Sequence, residues 1–207
     1  MAAEHVILIH GVWMRGFTLS ALRRRLEASG YTTELFEYAS VTGRATSSAA
    51  RLADRMRRHD AAAVHLVGHS LGGLMALQAV RQGGELPPGR VVCLGSPLKG
   101  SAAARGVSRW PGGSQLLGRS LDLLREGLDE WRGERAVGVI AGSLPFGLGV
   151  VIGLPKPNDG TVSVEETRLA GIADHRELPV THTGMLFSSA VARMTAHFLR
   201  DANFGPA

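Results

Sequence analysis

Five residues, Gly68-His69-Ser70-Leu71-Gly72, fit the pattern G-x-S-x-G, in which a serine sits on a tight strand-to-helix turn. A serine hydroxyl is a weak nucleophile at neutral pH until a base takes its proton as it attacks, so the chemistry at stake is acyl transfer. The spacing serves that chemistry. Glycines two positions before and two positions after the serine remove side chains that would collide as the chain reverses, which lifts the hydroxyl clear of the sheet. The elements that must position Ser70 are legible on either side. Val64-His65-Leu66-Val67 reads as a buried strand, and the segment from Leu71 onward reads as a helix. The start of that helix presents free backbone N–H groups and a positive dipole end to a developing oxyanion. A glycine-rich helix start that merely packs on a sheet is the plainer alternative, and the strand-before, helix-after setting argues against it.

On these residues the chain resembles the α/β-hydrolase superfamily, and Gly68-His69-Ser70-Leu71-Gly72-Gly73 resembles its lipase and esterase branch. The resemblance implies an α/β fold: one mostly parallel, doubly wound sheet of about six strands, with helices on both faces. It also implies a triad in the chain order nucleophile, acid, base. Asp159, in Pro157-Asn158-Asp159-Gly160-Thr161-Val162, matches the Asp-Gly-x-Val pattern of the acid, although by itself it reads as a plain Asp-Gly turn. Glu165, Glu166 and Asp174 compete for the role from further along the chain. His182, in Thr181-His182-Thr183-Gly184 between the last strand and the last helix, stands where the superfamily keeps its general base. His175 begins a strand, His197 lies inside the final helix, and His5, His59 and His65 precede the nucleophile.

The same resemblance assigns the oxyanion hole to two backbone donors. Val6-Ile7-Leu8-Ile9 is a continuous apolar strand followed by His10-Gly11-Val12-Trp13, which places one donor at Val12 N–H and the other at Leu71 N–H. His10 reads as a structural turn histidine, and Trp13 either walls the acyl pocket or simply packs. Gly95-Ser96-Pro97-Leu98-Lys99-Gly100 resembles a loop that lies beside the site in many lipases. Residues 144–155 are apolar yet punctuated by glycine and proline. They read either as core or as the rim of an acyl groove, with Phe146 and Leu148 as substrate contacts.

The remaining periodicities predict helices over residues 18–29, 45–59, 116–131 and 187–199 and strands over residues 31–38, 90–94, 136–141 and 175–180. Strands alternating with helices predict a parallel sheet with its site at the strands' carboxyl ends. Residues 1–207 read as one domain, with a short cap-like insertion at about 101–133.

At 207 residues the chain is long enough to bury a sizeable single core. Its net charge of +5 comes from 21 arginines and two lysines, Lys99 and Lys156. The arginines are scattered over helices without interleaved aromatics, as on a solvated face, so no nucleic-acid partner is expected. Cys93 is the single cysteine and lies in an apolar run, which excludes an intrachain disulfide and a cysteine metal cluster. Neither a secretory signal nor a membrane-spanning run is seen, so a cytoplasmic location is expected. The expected activity is a serine carboxylic-ester hydrolase acting through an acyl-enzyme on Ser70, without a metal or organic cofactor. Its expected partner is a small-molecule or lipid ester, with transient contact to a lipid surface. Thioesterase, acyltransferase and amidase chemistry use the same triad, and a catalytically silent scaffold is the alternative from another class.

Overall fold

Apolar residues fill both faces of the inner strands, which are buried on both sides, while the two edge strands are more polar and partly exposed. A computed structural model describes residues 4–146 and 154–205. Among these residues six strands form one sheet: β1 (His5–Ile9), β2 (Thr32–Phe36), β3 (Val64–His69), β4 (Val91–Leu94), β5 (Val137–Gly142) and β6 (Asp174–Leu178). Their order is β2-β1-β3-β4-β5-β6, and every neighbouring pair is parallel. The expected parallel α/β sheet is therefore present, with six strands.

The period-two alternation splits the core into two layers. Val6 and Leu8 of β1, Val67 of β3, Val92 and Leu94 of β4 and Ile140 of β5 face α1 (Ser20–Ala28) and the last helix, α8 (Ser189–Asp201). Ile7, Ile9, Leu66, Val91, Cys93, Val137 and Val139 face the other way, onto α2 (Ala45–Arg57) and α3 (Leu71–Gln82). Cys93 is fully buried there, and burial pushes its thiol up to about 12, as befits a small hydrophobe. Phe198 of α8 packs its ring on Gly138, where an added Cβ would come within 2.6 Å of it.

Residues 101–133 contain three short helices instead of the single predicted helix over 116–131. These are α4 (Ala102–Val107), α5 (Gly113–Leu117) and α6 (Ser120–Glu126). The run breaks at Gly118, whose φ is +54, and the next residue donates its N–H to Val41 O. Val107, Leu117, Leu121 and Leu124 join the same buried layer as α3. A one-turn helix, α7 (Val164–Thr167), was not predicted. Its capping box, Ser163 with Glu166, is a readable S-x-x-E signal. The final helix begins later than predicted, after a 3₁₀ turn at Gly184–Phe187. Among the described residues no helix is long and apolar enough to cross a membrane.

Candidate active site

Ser70 stands between the last residue of β3 and the first of α3, with φ 55 and ψ −121. This is a positive-φ backbone for a residue with a side chain, costing about 1–3 kcal/mol, and such strain persists only where the surroundings impose it. Here they do. A Cβ on Gly68 would lie 2.4 Å from the backbone of Gly72 and Gly73, and one on Gly72 would lie 2.2 Å from Ile9 O. Strand, helix and the end of β1 thus touch backbone to backbone, and Ser70 N–H donates to Leu94 O of β4 at 2.8 Å. The serine retains 7 % exposure.

Asp159 and His182 meet from separate loops beyond β5 and β6. Asp159 is 1 % exposed. Its Oδ1 accepts from the N–H groups of Thr161 at 2.9 Å and Val162 at 2.7 Å, and its Oδ2 lies 2.7 Å from His182 Nδ1. The backbone closes the same junction, with His182 N–H donating to Asp159 O at 2.8 Å. A carboxylate oxygen accepts, so Nδ1 carries the proton of this bond and Nε2 keeps a lone pair. The competing acids are employed elsewhere. Glu165 pairs with Lys99 at 2.8 Å, Glu166 caps α7, and Asp174 accepts from the N–H groups of His175 and Phe204. His175 shares a 2.8 Å hydrogen bond with Thr167 Oγ1.

His69 links the serine turn to the acid–base pair, a role the sequence reading did not assign. Its Nε2 donates to His182 O at 2.9 Å, and the two rings lie 4.6 Å apart at 46°. Burial, reinforced by the neighbouring His182, pushes the His69 pKa down to about 3, so the ring is neutral and rigidly packed. Gly95, where the chain leaves β4, completes the enclosure. Its φ is +55, and a Cβ there would lie 3.0 Å from Asp159 Oδ2 and 3.1 Å from His182 Nδ1. The resemblance of the Gly95–Gly100 loop to a lipase loop was the available signal.

The loop after β1 approaches from the other side. A Cβ on Gly11 would sit 3.1 Å from Ser70 Cβ and 3.4 Å from His69 O, so the segment carrying Val12 abuts the serine. Leu71 is the first residue of α3, where an N–H has no intrahelical acceptor. His10 is fully buried, donates from Nδ1 to Gly11 O at 2.9 Å and stacks on Tyr38, as expected of a turn histidine. Trp13 has a positive φ of 57 and is 57 % exposed, so it is no core residue. Phe146 is 79 % exposed, and its backbone packs against Gly160, next to Asp159. Leu148 lies outside the described residues.

A lone-pair nitrogen held by a buried carboxylate can take the proton of a hydroxyl as it attacks a carbonyl, which is the chemistry expected of Ser70 from the sequence. The comparisons with known proteins bear on the family and the fold. The sequence model of the Alpha/beta hydrolase family matches residues 6–199. No curated protein matches the chain in sequence. Among solved structures, the mature lipase BlEst2 of Bacillus licheniformis is similar over 98 % of this chain and 93 % of its own, at 18 % identity and a TM-score of 0.77. The metagenomic carboxyl esterase MGS0156 is similar over 88 % of this chain and 65 % of its own, at 17 % identity and a TM-score of 0.67. An extracellular alpha/beta-hydrolase from a Paenibacillus species is similar over 96 % and 98 %, at 16 % identity and a TM-score of 0.60.

Proposed function

The chain belongs to the alpha/beta hydrolase family, and on that premise we propose that it is a serine carboxylic-ester hydrolase of esterase or lipase type, acting through an acyl-enzyme on Ser70. The observation that carries the reading is the 2.7 Å bond from His182 Nδ1 to the buried Asp159, packed through His69 against the strained turn of Ser70. The lipase and esterase neighbours support it as a class of chemistry on the same fold.

In the proposed mechanism His182 Nε2 takes the Ser70 proton as Oγ attacks the ester carbonyl. Asp159 holds the imidazole in the tautomer this step needs and stabilises the imidazolium that forms. Val12 and Leu71 N–H bind the tetrahedral oxyanion, each donor worth roughly 3–4 kcal/mol in the transition state. Collapse expels the alcohol, which takes the proton from His182, and leaves an acyl ester on Ser70. Water then attacks that ester by the same route, giving its proton to His182, and the carboxylic acid leaves as Ser70 recovers its proton. Trp13, Phe146 and Leu148 are the proposed acyl-chain contacts. The proposed substrate is a small-molecule or lipid ester, reached by transient contact where it is presented on a lipid surface. The proposal includes a cytoplasmic location, which cell fractionation checks.

The test is covalent. A fluorophosphonate probe should label Ser70, identified by peptide mass, and labelling should vanish in Ser70→Ala. A folded wild-type protein that neither labels nor turns over p-nitrophenyl esters would be a silent scaffold instead.

A further inference from the structure

Pairing of β1 with β2 runs to Ile9 opposite Phe36, and there the ladder stops. The chain beyond β1 carries His10, Gly11 and Val12, and the chain beyond β2 carries Glu37 and Tyr38. Side chains take over the grip that the strands release. We propose, on the hydrolase reading in which Val12 supplies one oxyanion donor, that Glu37 is a positioning residue: it holds the loop of residues 10–16 so that the Val12 N–H stays turned toward the oxyanion formed at Ser70.

One peptide unit explains why this loop needs holding. The Gly11–Val12 bond is trans, so the Gly11 carbonyl and the Val12 N–H lie in one plane and point opposite ways. Fixing the oxygen therefore fixes the direction of the N–H. Gly11 O accepts from His10 Nδ1 at 2.9 Å and from Met14 N–H at 3.4 Å. The next residue along, Trp13, has a φ of 57, a strained conformation for a bulky side chain that persists only where the surroundings impose it. A Cβ on Gly11 would lie 3.1 Å from Ser70 Cβ, so a shift of this peptide alters its placement at the reacting centre directly.

Residues 37 and 38 supply those surroundings. Tyr38 stacks on the buried His10 ring at 4.6 Å, and its hydroxyl donates to His10 O at 2.9 Å. Glu37 holds the far end of the loop, where its Oε1 accepts from Gly16 N–H at 2.7 Å. Its Oε2 lies 3.5 Å from His10 Nε2, an ion pair whenever that nitrogen is protonated. Nε2 is buried and has no hydrogen-bond partner among the described residues, so Glu37 is the group that faces it. One carboxylate thus spans the two ends of the loop, His10 and Gly16. Only glycine leaves room for it at residue 16, where a Cβ would lie 2.5 Å from Glu37 Oε1 and 3.0 Å from Leu35 Cβ.

Glu37 contributes position and little stability. Its side chain is 53 % exposed, so removing it opens no core cavity. An oxyanion donor acts on charge that develops only in the transition state, so a displaced donor lowers kcat and leaves ground-state binding nearly intact. The geometry is exacting, since a misplacement of about 1 Å costs about 100-fold in rate. Glu37 works through Gly16 and His10, and not on the reacting atoms itself.

Glu37→Ala and Glu37→Gln, compared with wild type on p-nitrophenyl acetate, test this role. Inhibition by phenylboronic acid, which forms a tetrahedral adduct on a serine, gives a second readout. Glu37→Ala should lower kcat by about 10–100-fold, shift KM by less than about twofold, weaken phenylboronic acid in parallel and leave Tm nearly unchanged. Glu37→Gln should recover most of the rate, because its amide oxygen accepts from Gly16 N–H and its NH₂ faces His10 Nε2. Gly16→Ala should reproduce the loss and add little to it when combined with Glu37→Ala, since both break one contact. A KM effect without a kcat effect, a Glu37→Gln variant as slow as Glu37→Ala, or Glu37→Ala turning over like an active wild type would each overturn the positioning role and leave hydrolysis at Ser70 standing. A wild type that neither takes the fluorophosphonate label nor turns over the ester would overturn the hydrolase reading, and the role of Glu37 with it.

Discussion

The turn that carries Ser70 and the loops that carry Asp159 and His182 are held by different forces. Around Ser70 the constraint is steric: Gly68 and Gly72 have no room for a Cβ, and the strained φ of 55 follows from three backbones in contact. Around Asp159 the constraint is hydrogen bonding, with two backbone donors on Oδ1, an imidazole on Oδ2 and a backbone bond from His182 to Asp159 O. A steric constraint fails when anything is added. A hydrogen-bonded one fails when a donor or acceptor is exchanged, even at constant shape.

The largest effects should come from removing the reacting groups themselves. Ser70→Ala and His182→Ala should each lower kcat by about 10⁴–10⁶, and the double variant should cost little more, because the residues act as a unit. Asp159→Asn sharpens the comparison. Asn keeps an oxygen for the N–H groups of Thr161 and Val162, so Tm should change little, but its amide presents a donor to His182 Nδ1 and favours the wrong tautomer. We expect a loss in kcat approaching 10⁴ with a native circular dichroism spectrum. Gly72→Ala should do the reverse. Its added Cβ meets Ile9 O at 2.2 Å, so a destabilisation of about 3 kcal/mol or more, read from urea unfolding, should accompany any loss of rate. If Gly72→Ala left stability intact, the steric account of the turn would be wrong.

The same contrast explains what was legible in the sequence. Steric constraints write themselves as glycines at fixed spacing, so the Ser70 turn and the parallel sheet around it could be read from a few residues. The partnership of Asp159 and His182 is written in loop geometry over 23 positions, and only a resemblance to known hydrolases selected them from the other acids and histidines. His69 was passed over because a histidine at the variable position of the motif has no spacing signal. Its burial and its bond to His182 O exist only once β6 has delivered the loop. The helix predicted over residues 116–131 failed for a similar reason. Gly118 turns the chain so that the next N–H reaches Val41 O, a tertiary partner invisible to periodicity.

A smaller effect should appear in the pH dependence of stability, and it probes the residue joining the two regions. His69 is held down to about 3 by burial and His182, and His65 to about 4 by burial, partly offset by Glu4. An unfolded histidine titrates near 6.5, so below that pH the unfolded chain takes up protons that the folded one refuses. The stability from keeping these rings neutral is fully present above about 6.5 and falls as pH drops toward 4 and 3, by up to about 1.4 kcal/mol per pH unit per histidine. The urea midpoint should therefore decline between pH 7 and pH 5. His69→Leu should flatten that slope while lowering kcat more than KM, since the carbonyl of His182 loses its donor. An unchanged slope in the variant would remove His69 from this account.

The smallest expected effect lies at the rim, where the backbone is held but the side chains are exposed. Phe146 is 79 % exposed and Leu144 49 %, so neither side chain is core, although Leu154 further along is buried, and the Phe146 backbone against Gly160 keeps it next to Asp159. An exposed phenylalanine anchored beside an acid–base loop is well placed to cover an acyl chain. Each methylene it helps to bury contributes at most about 0.8 kcal/mol, which is up to a fourfold gain in kcat/KM per carbon. Across p-nitrophenyl acetate, butyrate, hexanoate and octanoate, kcat/KM should climb and then level where the groove ends. Phe146→Ser should flatten the climb, cost several-fold on octanoate and leave acetate nearly unchanged, with Tm unaltered. Equal losses on acetate and octanoate would mean that Phe146 acts through the placement of Asp159, and the rim would then belong to the hydrogen-bonded region after all.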